Sequence, residues 1–400
     1  MLDVLAVALG RTLRILLRLV RPGGGSALPG VLVSNISPQL LSRALAKLPQ
    51  GLVVVSGSAG KSSTTQLLVR ILSEHGLRVF SNPSTANIKQ GYFAAVLTQS
   101  NWLGRLNADI AVIEVDEGHG ATLVDELVPR MAILTNVLSD QLDRFVDPEY
   151  VIQKLTKIGR SADVVLINAD DPNLNQINFD REVLAVGLGA GFEPEERPAY
   201  ALNFEPAVEL SKQATVDKGE GLAINLGETS FATSSSSAPH ALNDALATLA
   251  ASHILDLDVA VTSKILADSK RVFARNEIVE LGGREVNLRL VQNPTSFQLN
   301  LDELAGSESP LMLMAGSDIH DPSWLWTVDF STLKSVDVVG GVNAYDLALR
   351  LRYDGVLVGQ VIPDSTVAAD AFAKLEGPKP TILFSADAMR RVRRHWGLAK

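Results

Sequence analysis

Short apolar runs alternate along this chain with longer stretches in which apolar residues recur every three or four positions. A short β-branched apolar run is typical of a buried strand, and the three-to-four spacing is typical of a helix. The predicted strands lie near 53–55, 110–115, 131–135, 164–168, 311–315 and 336–339. Because strands and helices alternate, the pattern predicts an α/β fold with a doubly wound, mainly parallel sheet.

The same pattern divides the chain into three regions. Residues 1–50 predict only helices, residues 51–260 carry the first set of strands, and residues 261–400 predict a smaller α/β domain. Residues 188–238 are rich in proline, glutamate, glycine and serine, which indicates an insertion or short antiparallel strands. A plain amphipathic helix is predicted to follow over 242–255.

The first twenty residues predict a basic amphipathic helix that contains Arg11, Arg14 and Arg18. Such a helix could contact an anionic membrane surface or pack on the first domain. Three arginines give only a weak attraction to a membrane, so packing is the favoured interpretation.

Composition narrows the possible functions. The net charge of −9 argues against a nucleic-acid partner, because no basic stripe replaces the counterions of a phosphate backbone. No apolar run is long enough for a membrane span and no signal-peptide cleavage site is evident, so a cytoplasmic protein is expected. The sequence has no cysteine, which excludes disulfides, thiolate zinc sites and a cysteine nucleophile within it.

A glycine-containing loop between the first strand and the next helix predicts a phosphate site. Gly57 and Gly60 allow backbone N–H groups to turn toward an anion, and Lys61 can reach a terminal phosphate. The hydroxyl of Ser62 can bind Mg²⁺. Val55 stands where the full Walker pattern has glycine, so this is a shorter form of the loop. A simple turn would not need a lysine followed by four hydroxyl residues.

Polar side chains follow three other strands of the first domain. Asn82 follows the second strand, Glu114 is followed closely by Asp116 and Glu117, and Asn136 follows a third strand. Ligands in α/β sheets bind at the carboxyl ends of the strands. Three neighbouring carboxylates repel one another unless a cation lies among them, which favours Mg²⁺ over a solvated strand end.

Together these motifs resemble the Mur ligase family, and more narrowly the ATPase subunits of glutamine-dependent amidotransferases that act on lipid II. The resemblance covers nearly the whole chain and includes Gly57–Thr65, Asn82–Gly91, Glu114–Glu117, Thr135-Asn136 with Asp140–Arg144, Arg275–Glu277, Asn293-Pro294 and Asp321–Phe330. It implies a central ATPase domain of the Mur ligase type over 51–260 and a smaller C-terminal domain over 261–400.

The resemblance implies roles for individual residues. ATP would be bound by Gly57, Ser58, Gly60, Lys61, Ser62, Ser63, Asn82, Asn136, Arg275 and Asn293, and Mg²⁺ by Ser62 and Glu114. The implied reaction is amidation of the α-carboxylate of D-glutamate in lipid II, with an acyl phosphate formed from ATP and displaced by ammonia.

The resemblance also implies a partner, because this sequence has no cysteine with which to release ammonia from glutamine. A GatD-like glutamine amidotransferase subunit would form a heterodimer with this chain. Asp321, or as second choice Asp318, would complete the partner's catalytic triad; for Asp321, a helix N-cap is an equal alternative.

Proteins of this family commonly carry a four-cysteine zinc ribbon at the position of residues 188–238. This segment has no cysteine here, so no zinc is expected. The lipid substrate implies peripheral contact with the inner face of the plasma membrane.

Two other functions compete with this hypothesis. One is a Mur-type ligase that adds an amino acid to a related cell-wall precursor, which the resemblance at 321–324 disfavours. The other is a nucleotide-binding scaffold for a glutaminase. A scaffold would not need Lys61, Glu114 and Asn136 together, so their presence favours catalysis.

Overall fold

A computed structural model describes residues 2–20, 28–82, 89–138, 148–192, 210–235, 237–268, 275–281, 283–291, 294–304, 306, 309–319 and 322–398. The described residues form two compact units, one ending at residue 268 and the other beginning at residue 275. Each unit has its own sheet and its own apolar core. The predicted α/β class is confirmed.

The first unit begins with helices α1 (Leu2–Val20), α2 (Leu28–Ile36) and α3 (Leu40–Leu45). Its strands are β1 (Leu52–Ser56), β2 (Val79–Ser81), β3 (Ile110–Glu114), β4 (Met131–Leu134), β5 (Val164–Asn168), β6 (Glu182–Leu188), β7 (Ala214–Lys218), β8 (Leu222–Leu226) and β9 (Thr229–Ala232). Its remaining helices are α4 (Lys61–Glu74), α5 (Lys89–Gln99), α6 (Glu117–Leu123), α7 (Pro148–Arg160), α8 (Pro172–Asn175), α9 (Ala238–Ile254) and α10 (Val259–Ala267).

The large sheet has the strand order β2-β3-β1-β4-β5-β6-β7-β8-β9. Pairing is parallel from β2 through β7 and antiparallel from β7 to β9. Every residue of β1, β3, β4 and β5 is buried, which is why these strands were continuous apolar runs in the sequence. The strand order reverses at β1, and α/β sheets bind ligands at such a point, beyond the carboxyl ends of the strands.

The segment predicted as an insertion contributes directly to this sheet. Its described part, 210–235, forms β7, β8 and β9, which extend the sheet beyond β6. These strands bury only one or two residues each, as expected near a sheet edge, so their apolar pattern is weaker than that of the central strands. Residues 193–209 lie outside the described part.

The first unit extends past the boundary predicted at residue 260. Helix α10 packs against β9 and α4, and Arg70 forms an ion pair of 3.1 Å with Asp268. The contacts of α10 therefore place it with the first unit, although the sequence analysis assigned it to the second domain.

Helix α1 packs on the first unit through one face. Ala6, Val7 and Gly10 are buried, and the helix contacts α2 and α5. Arg11 donates hydrogen bonds to the carbonyl oxygens of Leu97, at 3.1 Å, and of Ser100. For this face of the helix, the packing alternative is confirmed.

The second unit has strands β10 (Arg275–Leu281), β11 (Arg284–Leu290), β12 (Leu311–Met314), β13 (Ser335–Gly340), β14 (Leu357–Ile362) and β15 (Thr381–Phe384). Its helices are α11 (Pro294–Asp302), a 3-10 helix (Pro322–Thr327), α12 (Ala344–Tyr353), α13 (Ser365–Phe372) and α14 (Ala386–His395). The strand order is β10-β11-β15-β12-β13-β14, with only the β10–β11 pair antiparallel among these strands. Helices pack on both faces of the sheet, as in other parallel α/β units.

Candidate active site

The loop between β1 and α4 depends on two glycines. Gly57 has φ 128° and Gly60 has φ 84°, a region that side chains with a Cβ rarely adopt. A Cβ on Gly57 would also collide with the hydroxyl of Thr135 and lie 3.0 Å from backbone atoms of Asn136. A Cβ on Gly60 would lie 2.7 Å from Cγ of Asn243. The loop therefore has a backbone shape that requires glycine at both positions, and it packs closely against the end of β4 and against α9.

Asn136 supports this loop from the end of β4. Its backbone carbonyl accepts from the N–H of Ser58 at 2.9 Å, and its side-chain Oδ1 accepts from the N–H of Ala59 at 2.8 Å. Its Nδ2 donates to the carbonyl of Ala59 at 3.2 Å, and the hydroxyl of Thr135 donates to the same oxygen at 2.6 Å. The side chain predicted to contact nucleotide therefore fixes the loop that would bind phosphate.

Lys61 begins α4 and points toward a buried carboxylate. Its Nζ lies 3.0 Å from Oε1 of Glu117 and donates to the carbonyl oxygens of Gly57 and, at 3.1 Å, of Ser58. Only 11% of the Lys61 side chain and 3% of the Glu117 side chain are exposed. The ion pair is therefore shielded from water, and it joins the phosphate loop to the start of α6, the helix that follows β3.

Two of the three carboxylates at the end of β3, those of Asp116 and Glu117, have separate partners. Asp116 caps α6, accepting from the N–H groups of Gly118 at 3.1 Å and His119 at 3.3 Å, while Glu117 pairs with Lys61. These contacts offset the repulsion among the carboxylates that was expected in the absence of a bound cation. Within the described ranges, no group of three or more histidine, aspartate or glutamate side chains is arranged to hold a metal ion. Glu114 is buried at the end of β3.

Asn82 holds the end of β3 through the backbone of Glu114. Its Oδ1 accepts from the N–H of Glu114 at 3.0 Å, and its Nδ2 donates to the carbonyl of Glu114 at 3.1 Å. The hydroxyl of Tyr92 also donates to this carbonyl, at 3.3 Å. Burial, followed by the nearby charges of Asp116 and Glu114, raises the pKa of Tyr92 well above its usual value. Tyr92 therefore remains a neutral donor, and Asn82 directly supports the position of Glu114.

Five other residues were predicted to bind ATP or Mg²⁺ or to complete the partner's triad, and they do not all lie at the loop. Ser62 is buried in the first turn of α4, and Ser63 follows it. Arg275 is the first residue of β10 in the second unit. Asn293 and Asp321 lie outside the described residues.

Asp318 lies beyond β12 in the second unit. Its Oδ1 accepts from the hydroxyl of Ser385 at 2.6 Å, and that hydroxyl oxygen accepts from the N–H of Gly316 at 2.8 Å. The carboxylate thus joins the loop after β12 to the start of α14.

Two residues of the site were absent from the predicted set. Glu117 was visible in the acidic motif but was not paired with Lys61, because the two are far apart in sequence and meet only when β1 and β3 become neighbours. Asn243 is buried against Gly60 in a helix made largely of alanine and leucine. A polar residue in such an apolar helix was the only sequence signal for its role.

Replacement of Asn136 by alanine should loosen the loop without exposing the core. Loss of the two side-chain hydrogen bonds to Ala59 should weaken ATP binding by about 30-fold, since each such bond contributes about 1 kcal/mol. Isothermal titration calorimetry with ATP and Mg²⁺ measures the change. Asn225→Ala in β8 is the matched control, and an equal effect in both variants would contradict the role given to Asn136.

Two family models match this chain. The Mur ligase middle domain matches residues 55–215, and the MurT ligase C-terminal domain matches residues 290–385. In both of these regions the chain is therefore similar to the Mur ligase-like proteins, in agreement with its phosphate loop and parallel sheet.

Within that class, the chain is similar to the MurT subunits. It is 27% identical to the "Lipid II isoglutaminyl synthase (glutamine-hydrolyzing) subunit MurT" of Streptococcus pneumoniae, over 84% of each chain. It is 23% identical to the protein of that name from Staphylococcus aureus, over 87% of each chain.

Solved structures share the fold. MurF ligase from Thermotoga maritima, in complex with ADP, gives a TM-score of 0.69 at 18% identity and covers 92% of this chain and 84% of its own. A pseudomurein peptide ligase type C from Methanothermus fervidus gives 0.68 at 17% identity and covers 88% of this chain and 79% of its own.

Proposed function

We propose that this chain is the ATP-using subunit of a glutamine-dependent amidotransferase that amidates the α-carboxylate of D-glutamate in lipid II. The observation that carries the proposal is the combination, in one chain, of the loop bearing Lys61 and a C-terminal region of the MurT type. The first supplies a means of using ATP, and the second distinguishes this chain from ligases that add amino acids.

The proposed reaction has two steps. An oxygen of the substrate carboxylate attacks the γ-phosphorus of ATP, and ADP leaves, which produces an acyl phosphate. Ammonia then attacks the acyl carbon, loses a proton, and displaces inorganic phosphate to give the amide. Lys61 and the positive N-terminal end of α4 would stabilise negative charge on the transferred phosphoryl group.

The residues at the loop fit Mg²⁺ bound together with ATP. Mg²⁺ commonly takes most of its ligands from phosphates and water, so it needs only one or two protein groups. Ser62 at the start of α4 and Glu114 at the end of β3 are both buried at adjacent ends of β1 and β3. We assign them to Mg²⁺, which would neutralise phosphate charge.

The ammonia would come from a second subunit. The MurT relatives are named as subunits of glutamine-hydrolysing enzymes, and this sequence has no cysteine nucleophile. A GatD-like subunit with a catalytic cysteine would therefore pair with this chain as a heterodimer. Because lipid II is held in the membrane, the complex would work at the inner face of the plasma membrane.

Reconstitution tests the proposal. The purified chain is mixed with a cysteine-containing amidotransferase subunit, ATP, Mg²⁺, glutamine and lipid II, and products are followed by mass spectrometry. We expect amidated lipid II and ADP in equal amounts. ADP release that depends on an added amino acid, with that amino acid joined to the product, would instead identify a ligase. ATP binding without turnover would identify a scaffold.

We propose that Asp321 completes the catalytic triad of the partner subunit. Asp321→Asn should reduce glutamine-driven amidation by about 10² to 10⁴-fold, because a carboxylate that orients a histidine can no longer hold the correct tautomer. Amidation driven by free ammonia should be unchanged, since that reaction bypasses the partner's site.

Asp318→Asn is the matched comparison for this test. Asp318 already accepts from Ser385 within its own unit, so its replacement should affect stability more than glutamine use. If Asp321→Asn retains glutamine-driven activity and Asp318→Asn loses it selectively, the assignment belongs to Asp318.

A further inference from the structure

Helix α1 has an apolar face that does not pack on the protein. Its members are 40 to 63% exposed, although they are large aliphatic residues: Leu2, Val4, Leu5, Leu9, Ile15 and Leu16. We call these residues the outer apolar surface. The opposite side of the helix is the one that packs, through Ala6, Val7 and Gly10. A soluble monomer rarely exposes a contiguous apolar area of this kind unless it binds something.

Basic residues outnumber acidic residues in the N-terminal region that contains this helix. The first fifty residues contain six arginine or lysine residues and one acidic residue, Asp3. Asp3 is paired with Arg43 at 2.6 Å and with the hydroxyl of Ser37, so it is engaged with α3 and the end of α2. The outer apolar surface itself contains no carboxylate, whereas the rest of the chain is strongly acidic.

A basic and aromatic edge borders the outer apolar surface. Arg11 follows Val4 and precedes Ile15 at helical spacing, so it lies beside them. Its guanidinium lies 4.7 Å from the ring centre of Trp102, which is 59% exposed, and the neighbouring Leu103 is 53% exposed. Tryptophan and arginine are common where a protein meets lipid headgroups, because each combines an apolar body with a polar end.

We propose that the outer apolar surface and its edge dock the protein on a lipid bilayer with anionic headgroups, with α1 lying in the plane of the interface. The aliphatic residues would enter the boundary between headgroups and acyl chains, and Arg11 and Trp102 at the edge would lie at the level of the anionic headgroups. None of the described helices is long and apolar enough to cross a membrane. The physiological purpose rests on the proposed function, whose substrate is lipid-linked, but the structural evidence does not depend on it.

Vesicle flotation of the full chain tests this proposal without requiring turnover. We expect binding to vesicles of phosphatidylglycerol and phosphatidylcholine, weaker binding to phosphatidylcholine alone, and a further loss at high salt. The double variant L5Q/L9Q should lower the partition coefficient at least about tenfold, because two exposed leucines no longer enter the lipid. The double variant V128Q/V259Q is the matched control, since Val128 and Val259 are exposed outside α1.

Several results would overturn the proposal. These are no binding of the unmodified protein to anionic vesicles, equal binding of L5Q/L9Q, or an equal loss in the control. If L5Q/L9Q leaves vesicle binding unchanged but alters the mass in solution, or binding to the amidotransferase subunit, the surface is a protein interface instead. Calorimetric ATP binding should be the same in all variants. Vesicle binding by a chain that cannot bind ATP would contradict the proposed function alone.

Discussion

Replacement of Lys61 by methionine is expected to lower kcat for ATP-dependent amidation by about 10²- to 10³-fold. Lys61 is the cation of the phosphate loop, and loss of one well-placed charge-stabilising donor commonly has an effect of this size. The variant should also be less stable by about 3 kcal/mol, because Glu117 would remain buried without its partner. Urea unfolding and product formation measure the two effects.

The double variant K61M/E117Q separates catalysis from folding. Removal of both charges should restore most of the lost stability, because no unpaired buried carboxylate remains. Catalysis should stay low, because the cation is still missing. Normal amidation by K61M, or recovery of activity in the double variant, would contradict the role of Lys61.

Replacement of Gly57 by alanine should have the second large effect. The added methyl group combines an unfavourable backbone conformation with a collision against Thr135 and the backbone of Asn136. We expect the free energy of unfolding to fall by about 3 kcal/mol and calorimetric ATP binding to be lost.

Gly76→Ala is the matched control for Gly57→Ala. Gly76 has φ 89° at the end of α4, but a Cβ there would meet no atom within 4 Å. It should therefore show only the conformational cost of about 1 kcal/mol and keep ATP binding. Equal effects of the two substitutions would mean that the packing of Gly57 against β4 is unimportant.

The central architecture was predictable because of how parallel sheets are buried. Strands β1, β3, β4 and β5 are covered on both faces, so each leaves an uninterrupted apolar run in the sequence. The edge strands β7 to β9 alternate weakly and lie in a polar, serine-rich stretch. Their place in the sheet was determined by the pairing of β7 with β6, which no local pattern reveals.

The positions of the candidate residues at the ends of strands were predictable from the sequence, but the contacts among these residues were not. The loop and the polar ends of β2, β3 and β4 were evident from their positions after apolar runs. The ion pair of Lys61 with Glu117 and the hydrogen bonds of Asn136 to Ala59 join residues distant in sequence. Asn82 is an example. Its position after β2 was predicted, but the hydrogen bonds of its side chain to the backbone of Glu114 were not.

Transfer of ¹⁸O from the substrate carboxylate to inorganic phosphate tests the central claim most directly. Lipid II labelled in the D-glutamate α-carboxylate is converted in the reconstituted system, and the phosphate is analysed by mass spectrometry. If ATP activates the carboxylate as an acyl phosphate, each molecule of amide should be accompanied by one phosphate that carries an oxygen from the labelled carboxylate. Amidated product accompanied by unlabelled phosphate would contradict the account.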